Sequence, residues 1–215
     1  MSVDNLMDYR EFTNADEAEQ WAREHYSNLL SLDPDSEQYK LIFSYTGSWY
    51  KALNRLMRVC PAVGSEAFNK VDFGNYAEEK AEIIALNSVL QNYSLPEPIV
   101  VHRFAHISDI VKMSGVCFLR KSVHFSDKAF VSTTLVKNLL VPFGKENGCS
   151  CVLRIYLPKG LPGAYVSFKT EKTLLNEQEF LLPPNILMKI IKIHYFTWPI
   201  QIDCVALPNE RGIPN

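Results

Sequence analysis

The chain has 215 residues, of which 47% are hydrophobic and 21% are charged, and its formal net charge at pH 7 is −2. This composition predicts one globular domain, with at most a small helical attachment, that buries most of its apolar surface without disulfide bonds. The near-neutral charge balance disfavours a general nucleic-acid binder, which carries a strong basic excess.

The N-terminal residues are polar and acidic, so they do not resemble a cleavable signal peptide, and no apolar run is long enough to span a bilayer. The five cysteines are odd in number and lack C-x-x-C spacing, which disfavours a disulfide framework and a zinc site. Cysteines that stay reduced are typical of a protein that is made or acts in a cytosol. If the protein leaves the cell that makes it, we expect a route that reads no cleavable signal, or a chain that is a fragment of a longer one.

The first half of the chain, about residues 12–95, has the pattern of helices. Thr13-Asn14-Ala15-Asp16 is typical of a capped helix start. Apolar residues then recur at helical spacing as far as Leu29. Three further helices are predicted at about residues 37–45, 49–57 and 76–93. In the last of these, Ile84, Val89 and Leu90 are expected on the buried side.

After Pro96-Glu97-Pro98 the pattern changes to short strands rich in branched and aromatic residues. The predicted strands cover residues 99–104, 129–135, 149–157, 164–168, 179–182, 186–196 and 200–207. Cys149 and Cys151 alternate along the third of these strands, so both are expected to face the core. Helices followed by strands predict an α+β fold with mainly antiparallel sheets.

Two carboxylates, Glu177 and Glu179, stand one residue apart where a polar loop becomes an apolar run. Alternate residues of an extended strand face the same way, so both are predicted to project from one face. Such a pair suits chemistry in which one acid holds a sugar and the other activates a nucleophile. Spaced pairs also arise by chance. A second pair, Glu17 and Glu19, lies in a helical pattern, where it does not share a face and reads as solvated surface.

Two other polar positions interrupt apolar strands. Arg103 follows Val101 and His102, and it is either a snorkelling arginine on an edge strand or a fork-shaped donor for a phosphate group. Ser132 lies between Val131 and two threonines. Hydroxyls are common in strands, but Ser132 is also placed to orient a catalytic carboxylate through a hydrogen bond.

The order of these features resembles the arginine–serine–glutamate class of mono-ADP-ribosyltransferases: Arg in an early strand, then Ser-Thr-Thr, then Glu-x-Glu before Leu-Leu-Pro. Residues 13–26 and 45–58 also resemble the opening helices of bacterial toxin catalytic domains. Such toxins include the enzymatic components of actin-modifying binary toxins and exoenzymes that modify small GTPases. The resemblance extends from about Phe12 to about Leu207. It implies one catalytic domain over residues 1–215, with helices packed on two small, roughly perpendicular sheets that enclose an NAD cleft.

The resemblance implies roles for individual residues. Arg103 would bind the NAD phosphates, and Ser132 would position Glu179. Glu179 would hydrogen-bond the nicotinamide ribose and favour its oxocarbenium-like transition state, a role that fits a fixed carboxylate beside developing positive charge. Glu177 would activate the acceptor. Because relatives with Glu at this position look arginine-specific, the implied activity is transfer to a protein arginine, with actin the favoured target.

Further residues are implied to bind the cofactor. Tyr50 and Asn54 match positions on the helix that covers NAD, and Phe143 is placed in a loop like the aromatic residue that covers nicotinamide. NAD would be the substrate, with no metal required. His102 and His106 are four apart, but on a strand followed by a turn they would not share a metal face.

The sequence departs from the family pattern at three places. His102-Arg103-Phe104 lacks the second Arg that often follows the first, Thr134 replaces a usual Ser, and Leu174-Leu175 stands where many relatives place an aromatic for target contact. The charged residues of positions 169–172 read as a solvated loop. Two alternatives to protein modification stay open: an NAD glycohydrolase that uses water, and an inactive relative that serves as a binding module.

Overall fold

The computed structural model describes residues 3–167 and 177–208. Its helices are α1 (Ala15–His25), α2 (Ser27–Leu30), α3 (Glu37–Ser44), α4 (Tyr50–Val59), α5 (Glu66–Lys70), α6 (Ala77–Gln91), α7 (Ile107–Ser114) and α8 (Val141–Glu146). Three short 3₁₀ turns cover Val3–Asp8, Gly74–Tyr76 and Lys137–Leu140, and a π-helical turn, Tyr45–Trp49, joins α3 to α4. None of the helices in the described residues is long and apolar enough to cross a bilayer.

The first helix starts as its sequence predicts and packs behind the strand that will carry Glu179. The Asn14 side chain accepts a hydrogen bond from the backbone N–H of Glu17 at 2.9 Å, which satisfies one of the free amides of the first turn. The ring of Trp21 is fully buried and lies 6.4 Å from that of Phe180, measured between centroids. Together with the ring contact of Tyr26 with Phe180, it packs the start of the chain against the sheet.

The strands are β1 (Ile99–Ala105), β2 (His124–Phe125), β3 (Val131–Thr134), β4 (Cys151–Leu157), β5 (Ala164–Tyr165), β6 (Glu179–Leu182), β7 (Leu187–His194) and β8 (Ile200–Leu207). Their spatial order is β2-β7-β8-β4-β1-β3-β6-β5, and all neighbours are antiparallel except β4 and β8. The predicted α+β class is therefore confirmed. The sequence pattern missed β2, since two residues are too few to show a period.

The sheet differs from the predicted pair of sheets in how its halves are joined. β1 and β3 share one residue pair, His102 with Thr134, so the hydrogen-bonded order runs through all eight strands of the described residues. β1 pairs along its whole length with β4, and β3 pairs along its whole length with β6. The architecture is therefore two well-paired halves that meet at one narrow seam.

Three local predictions were wrong. Ile84 of α6 is 45% exposed, because the buried stripe of this helix is Ile83, Leu86 and Leu90, one position away in register. Cys149 does not face the core, since β4 begins only at Cys151, which is fully buried. The edge-strand interpretation of Arg103 also fails, because β1 lies between β3 and β4.

Some expectations fall outside the described residues, namely the end of the predicted 164–168 strand at Phe168, the charged positions 169–172, and Leu174-Leu175. The two histidines four apart are described, and they do not converge. His102 is buried 3.1 Å from a carboxylate oxygen of Glu11, whereas His106 is exposed. Within the described ranges, no group of three His, Cys, Asp or Glu side chains could hold a metal ion.

Candidate active site

A cleft of about 480 Å³ opens between α4, the π turn before it and the strands β1, β3 and β6. This is within the usual range for small-molecule sites, about 300–1,000 Å³. The cleft brings together all seven residues singled out from the sequence, which come from segments up to 129 positions apart: Tyr50, Asn54, Arg103, Ser132, Phe143, Glu177 and Glu179.

The centre of the cleft is a hydrogen-bonded pair. Ser132 of β3 donates its hydroxyl to Oε1 of Glu179 at 2.5 Å, across the ladder that pairs β3 with β6. Burial raises the pKa of Glu179 to about 7, and the Ser132 hydrogen bond opposes that shift by stabilising the charged form. The nearby Glu177 raises the pKa further and Arg103 lowers it. Glu179 is therefore a fixed carboxyl whose acid and base forms are both populated near neutral pH.

Glu177 reaches the same cleft, but not by the strand alternation that the sequence predicted. β6 begins at Glu179, and Gln178 has φ +49°, in the left-handed region that non-glycine residues rarely adopt. Two contacts hold this turn: the Tyr165 hydroxyl donates to Gln178 Oε1 at 2.8 Å, and Thr134 Oγ1 donates to the backbone oxygen of Glu177 at 2.6 Å. Partial burial raises the pKa of Glu177, which makes it a stronger base than a solvated carboxylate.

Two arginines and one carboxylate form the other charged part of the cleft. Asp127 is buried, and its two carboxylate oxygens accept hydrogen bonds from Nε and Nη2 of Arg58 at 3.0 and 2.7 Å. The same carboxylate lies 3.8 Å from Nη2 of Arg103. Nη1 of Arg103 is buried without a hydrogen-bond partner among the described residues. The Arg103 side chain as a whole is 25% exposed where it lines the cleft, so its guanidinium can receive an anion there.

Helix α4 carries the polar residues on the opposite wall. Asn54 is buried and hydrogen-bonded to the Tyr45 hydroxyl, with 3.1 Å between Asn54 Nδ2 and that oxygen. Tyr50 lies four residues before Asn54 and Arg58 four residues after it, so all three side chains share one face of α4. The π turn just before α4 adds the backbone of Gly47 to the lining. Such turns concentrate at functional sites.

Phe143 lies on the short helix α8 and not in a loop as predicted, with 45% of its side chain exposed at the cleft. The next residue, Gly144, packs directly on β1. A Cβ at Gly144 would lie 2.2 Å from Cδ1 of Phe104, so only glycine allows α8 to approach this closely. The close contact sets where Phe143 stands relative to Arg103.

A second cavity of about 430 Å³ adjoins the first. The two share Arg58, Arg103, Phe104 and Phe143, and the second extends past Asp109 and Asn147. Together they form one elongated depression with its guanidinium groups at the middle and its Ser132–Glu179 pair at one end.

Sequence reasoning missed Arg58 and Asp127. Arg58 could have been found, because it stands four residues after Asn54 on the same face of α4. Asp127 gives no such signal, since Ser126-Asp127-Lys128 before a strand is typical of an ordinary turn.

The carboxylates and guanidinium groups of the cleft limit the chemistry that the cleft can support. A rigid carboxylate at one end can stabilise positive charge that develops on a bound ligand, and a second carboxylate beside it can accept a proton. Two guanidinium groups at the middle can hold a doubly charged anion. The cleft therefore suits a long anionic substrate whose reacting carbon becomes cationic.

The sequence and the fold are similar to those of known proteins. A family model described as ADP-ribosyltransferase exoenzyme matches residues 18–201. The fold is similar to that of C3stau2 from S. aureus with NAD, at TM-score 0.72 and 18% identity over 94% of this chain and 100% of that chain. It is also similar to the Clostridium limosum C3 exoenzyme, at TM-score 0.70 and 18% identity over 93% and 98%.

A third similar structure is BECa, an ADP-ribosylating toxin of a binary enterotoxin of C. perfringens with NADH. Its TM-score is 0.70 and its identity 22%, over 93% of this chain and 50% of that chain. At these identities the structural likeness shows the fold. A search of curated proteins found no match.

Proposed function

The chain belongs to the ADP-ribosyltransferase exoenzyme family, and on that premise we propose that it is a toxin or effector that transfers ADP-ribose from NAD to an arginine of a host protein. The observation that carries this proposal is the Ser132–Glu179 hydrogen bond, 2.5 Å long, inside a cleft that also holds two arginines. We further propose that residues 1–215 form one catalytic domain, with its helical part at about 12–95 and its strand-rich part at about 97–207.

The elongated depression accounts for NAD binding. NAD has two nucleoside ends joined by a pyrophosphate, and the two cavities meet at Arg58 and Arg103. The pyrophosphate would lie at this junction, where the partly exposed guanidinium of Arg103 would bind it. Arg58 would supply the second guanidinium that the sequence His102-Arg103-Phe104 lacks. This argues against the inactive binding module, whose main support was that missing arginine.

The nicotinamide end would lie at Glu179. The glycosidic bond breaks with its electron pair leaving on the nicotinamide nitrogen, so the ribose carbon becomes cationic. The ionised Glu179, held by Ser132, would stabilise that charge. Phe143, Tyr50 and Asn54 would cover the nicotinamide and its ribose and so hold the reacting carbon in place.

Glu177 would act on the acceptor. A guanidinium nitrogen attacks the ribose carbon and loses one proton, and the raised pKa of Glu177 suits a base that must take it. With water as acceptor the same site would act as an NAD glycohydrolase. Because Glu179 serves both reactions and Glu177 only the first, the two carboxylates can be tested separately.

The target is proposed on resemblance to toxin catalytic domains, with actin favoured and a small GTPase as the alternative. The protein would be secreted or injected, with a separate delivery partner as one route, and would act in the host cytosol as a monomer. Incubating a host-cell lysate with enzyme and labelled NAD, followed by mass spectrometry, would identify both the modified protein and the modified residue. Label on a residue other than arginine would contradict the acceptor assignment.

Three variants test the site assignment, and each of them replaces one glutamate by glutamine. Glu179→Gln should lose both ADP-ribose transfer and nicotinamide release by about 10²–10⁴-fold, the usual effect of removing a positioned acid or base. Glu177→Gln should lose transfer yet keep most nicotinamide release. Glu66→Gln, on an exposed helix outside the cleft, is the matched control and should keep both. Retained nicotinamide release by the Glu179 variant would refute the proposed site.

A further inference from the structure

An exposed aromatic surface lies at the edge of the sheet, outside both cavities. It is formed by the β7–β8 hairpin turn and by the loop that precedes β2, and we call it the aromatic edge. Four of its aromatic residues are mostly exposed: 67% of Phe118, 63% of Tyr195, 105% of Phe196 and 82% of Trp198. A large aromatic side chain left in water loses much of the stabilisation that burial would give.

The two loops form one surface. Backbone hydrogen bonds join Ser122 to Ile190 at 2.8 Å and Ile190 to Val123 at 2.8 Å, so the segment before β2 runs alongside β7. Further along, the Tyr195 hydroxyl lies 3.5 Å from the backbone oxygen of Leu119. The rings of Phe118 and of the hairpin turn are therefore carried by adjacent backbone segments.

The exposed charge on these segments is basic: the carboxylate beside the hairpin, Asp203, is buried against His194, and Asp109 pairs with Lys112. The segments that build the aromatic edge, residues 110–126 and 183–202, contain five Lys or Arg residues and no Asp or Glu: Lys112, Arg120, Lys121, Lys189 and Lys192. The whole chain, in contrast, has 22 basic and 24 acidic residues. Arg120 and Lys121 are exposed, and neither pairs with a carboxylate among the described residues. The Arg120 guanidinium instead lies 5.9 Å from the centroid of the Phe118 ring.

Protruding Trp, Tyr and Phe side chains flanked by unpaired cations match the interface of an anionic bilayer. Trp and Tyr rings favour the headgroup level, and Lys and Arg are attracted by anionic lipid. We propose that the aromatic edge binds the surface of an anionic lipid membrane, with Phe196 and Trp198 inserted at the headgroup level and Arg120 and Lys121 at the lipid phosphates. This binding is separate from catalysis, since none of these residues lines either cavity.

The test is co-sedimentation of the full chain with vesicles of phosphatidylcholine, with and without about one third phosphatidylserine. The wild type should bind the anionic vesicles and not the neutral ones, and added salt should weaken binding. Phe196→Ala with Trp198→Ala should lower the partition coefficient at least tenfold. Tyr76→Ala, which removes another exposed ring from outside this surface, is the control and should leave it unchanged.

A charge-reversed pair tests the second half of the proposal. Lys121→Glu should weaken binding about fivefold or more, since each cation near an anionic surface adds to the electrostatic attraction. Lys159→Glu, on a turn outside the aromatic edge, is the control and should leave binding unchanged. Nicotinamide release by each variant checks that it is folded and should match the wild type. Absence of wild-type binding to anionic vesicles at low salt would overturn the proposal. So would equal losses in test and control variants, or binding of the edge to an acidic protein in place of vesicles.

Discussion

Removing the Ser132 hydroxyl should change the pH dependence of NAD cleavage, not only its rate. In the wild type this hydroxyl donates to Glu179 and opposes the effect of burial, which raises the pKa of Glu179 to about 7. Ser132→Ala leaves the carboxyl buried but takes away the bond that stabilises its charged form. The acid limb of activity should therefore move to higher pH.

The size of the shift follows from the geometry. A hydrogen bond to a charged group contributes about 1.5–3 kcal/mol. Because about 1.4 kcal/mol corresponds to one pH unit, the limb should rise by about one to two units. At pH 7 the variant should then be about 5- to 50-fold slower than the wild type, while near pH 9.5 the two rates should approach each other.

The assay is nicotinamide release with water as acceptor, measured as kcat/KM, which reports the free enzyme. Hydrolysis is the better reaction here, because the proposed role of Glu177 in accepting a proton from arginine does not enter it. Ser132→Thr, which keeps a hydroxyl, is the matched control and should keep the limb near its wild-type position. A Ser132→Ala profile that is lowered equally at every pH, with its limb unmoved, would refute the reasoning.

Three further predictions concern stability and binding. The pKa of Glu179 rises from its ordinary 4.5 to about 7, so the folded state holds this proton more tightly than the unfolded state and loses stability as the pH rises from 4.5 to 7. Glu179→Gln removes this loss. Urea denaturation should therefore find the variant more stable than the wild type by up to about 3 kcal/mol at pH 8, and no more stable at pH 4. Asp127→Asn removes the carboxylate that pairs with Arg58 and lies beside Arg103. Steady-state kinetics should then show a KM for NAD about tenfold higher with kcat little changed. A large fall in kcat alone would contradict this role. Gly144→Ala forces its new methyl group into the Phe104 ring and should lower the free energy of unfolding by about 1–3 kcal/mol, whereas an unchanged melting temperature would show that α8 can shift freely.

Much of the candidate site could be proposed from the sequence, because its residues break strong local patterns. Arg103 and Ser132 are polar positions inside apolar strands, and the Glu177–Glu179 pair opens another strand. The geometry between them was less accessible. Nothing in the sequence shows that Gln178 adopts a left-handed conformation, since that depends on hydrogen bonds made by Tyr165 and by β3.

The remaining errors have physical reasons of the same kind. In α6 the adjacent Ile83 and Ile84 fit two helical stripes equally well, and only packing against the other helices decides between them. Asp127 looks like a turn residue because its partner Arg58 stands 69 positions earlier in the chain. The join between β1 and β3 depends on one residue pair, which no periodicity can reveal.

That narrow seam has a consequence for how the protein could be inhibited. Arg103 belongs to the half of the sheet built on β1 and β4, whereas Ser132 and Glu179 belong to the half built on β3 and β6. A small mimic of nicotinamide would contact only the half that carries Ser132 and Glu179. A molecule long enough to reach from Arg103 to Glu179 would contact both halves and hold them together across the seam. At 100 times its own Kd either compound adds about 2.7 kcal/mol to the stability of the fold, so thermal shift at matched saturation should not separate them. Hydrogen exchange of the β1 and β3 amides should separate them, because only the longer molecule is expected to slow local opening between the halves.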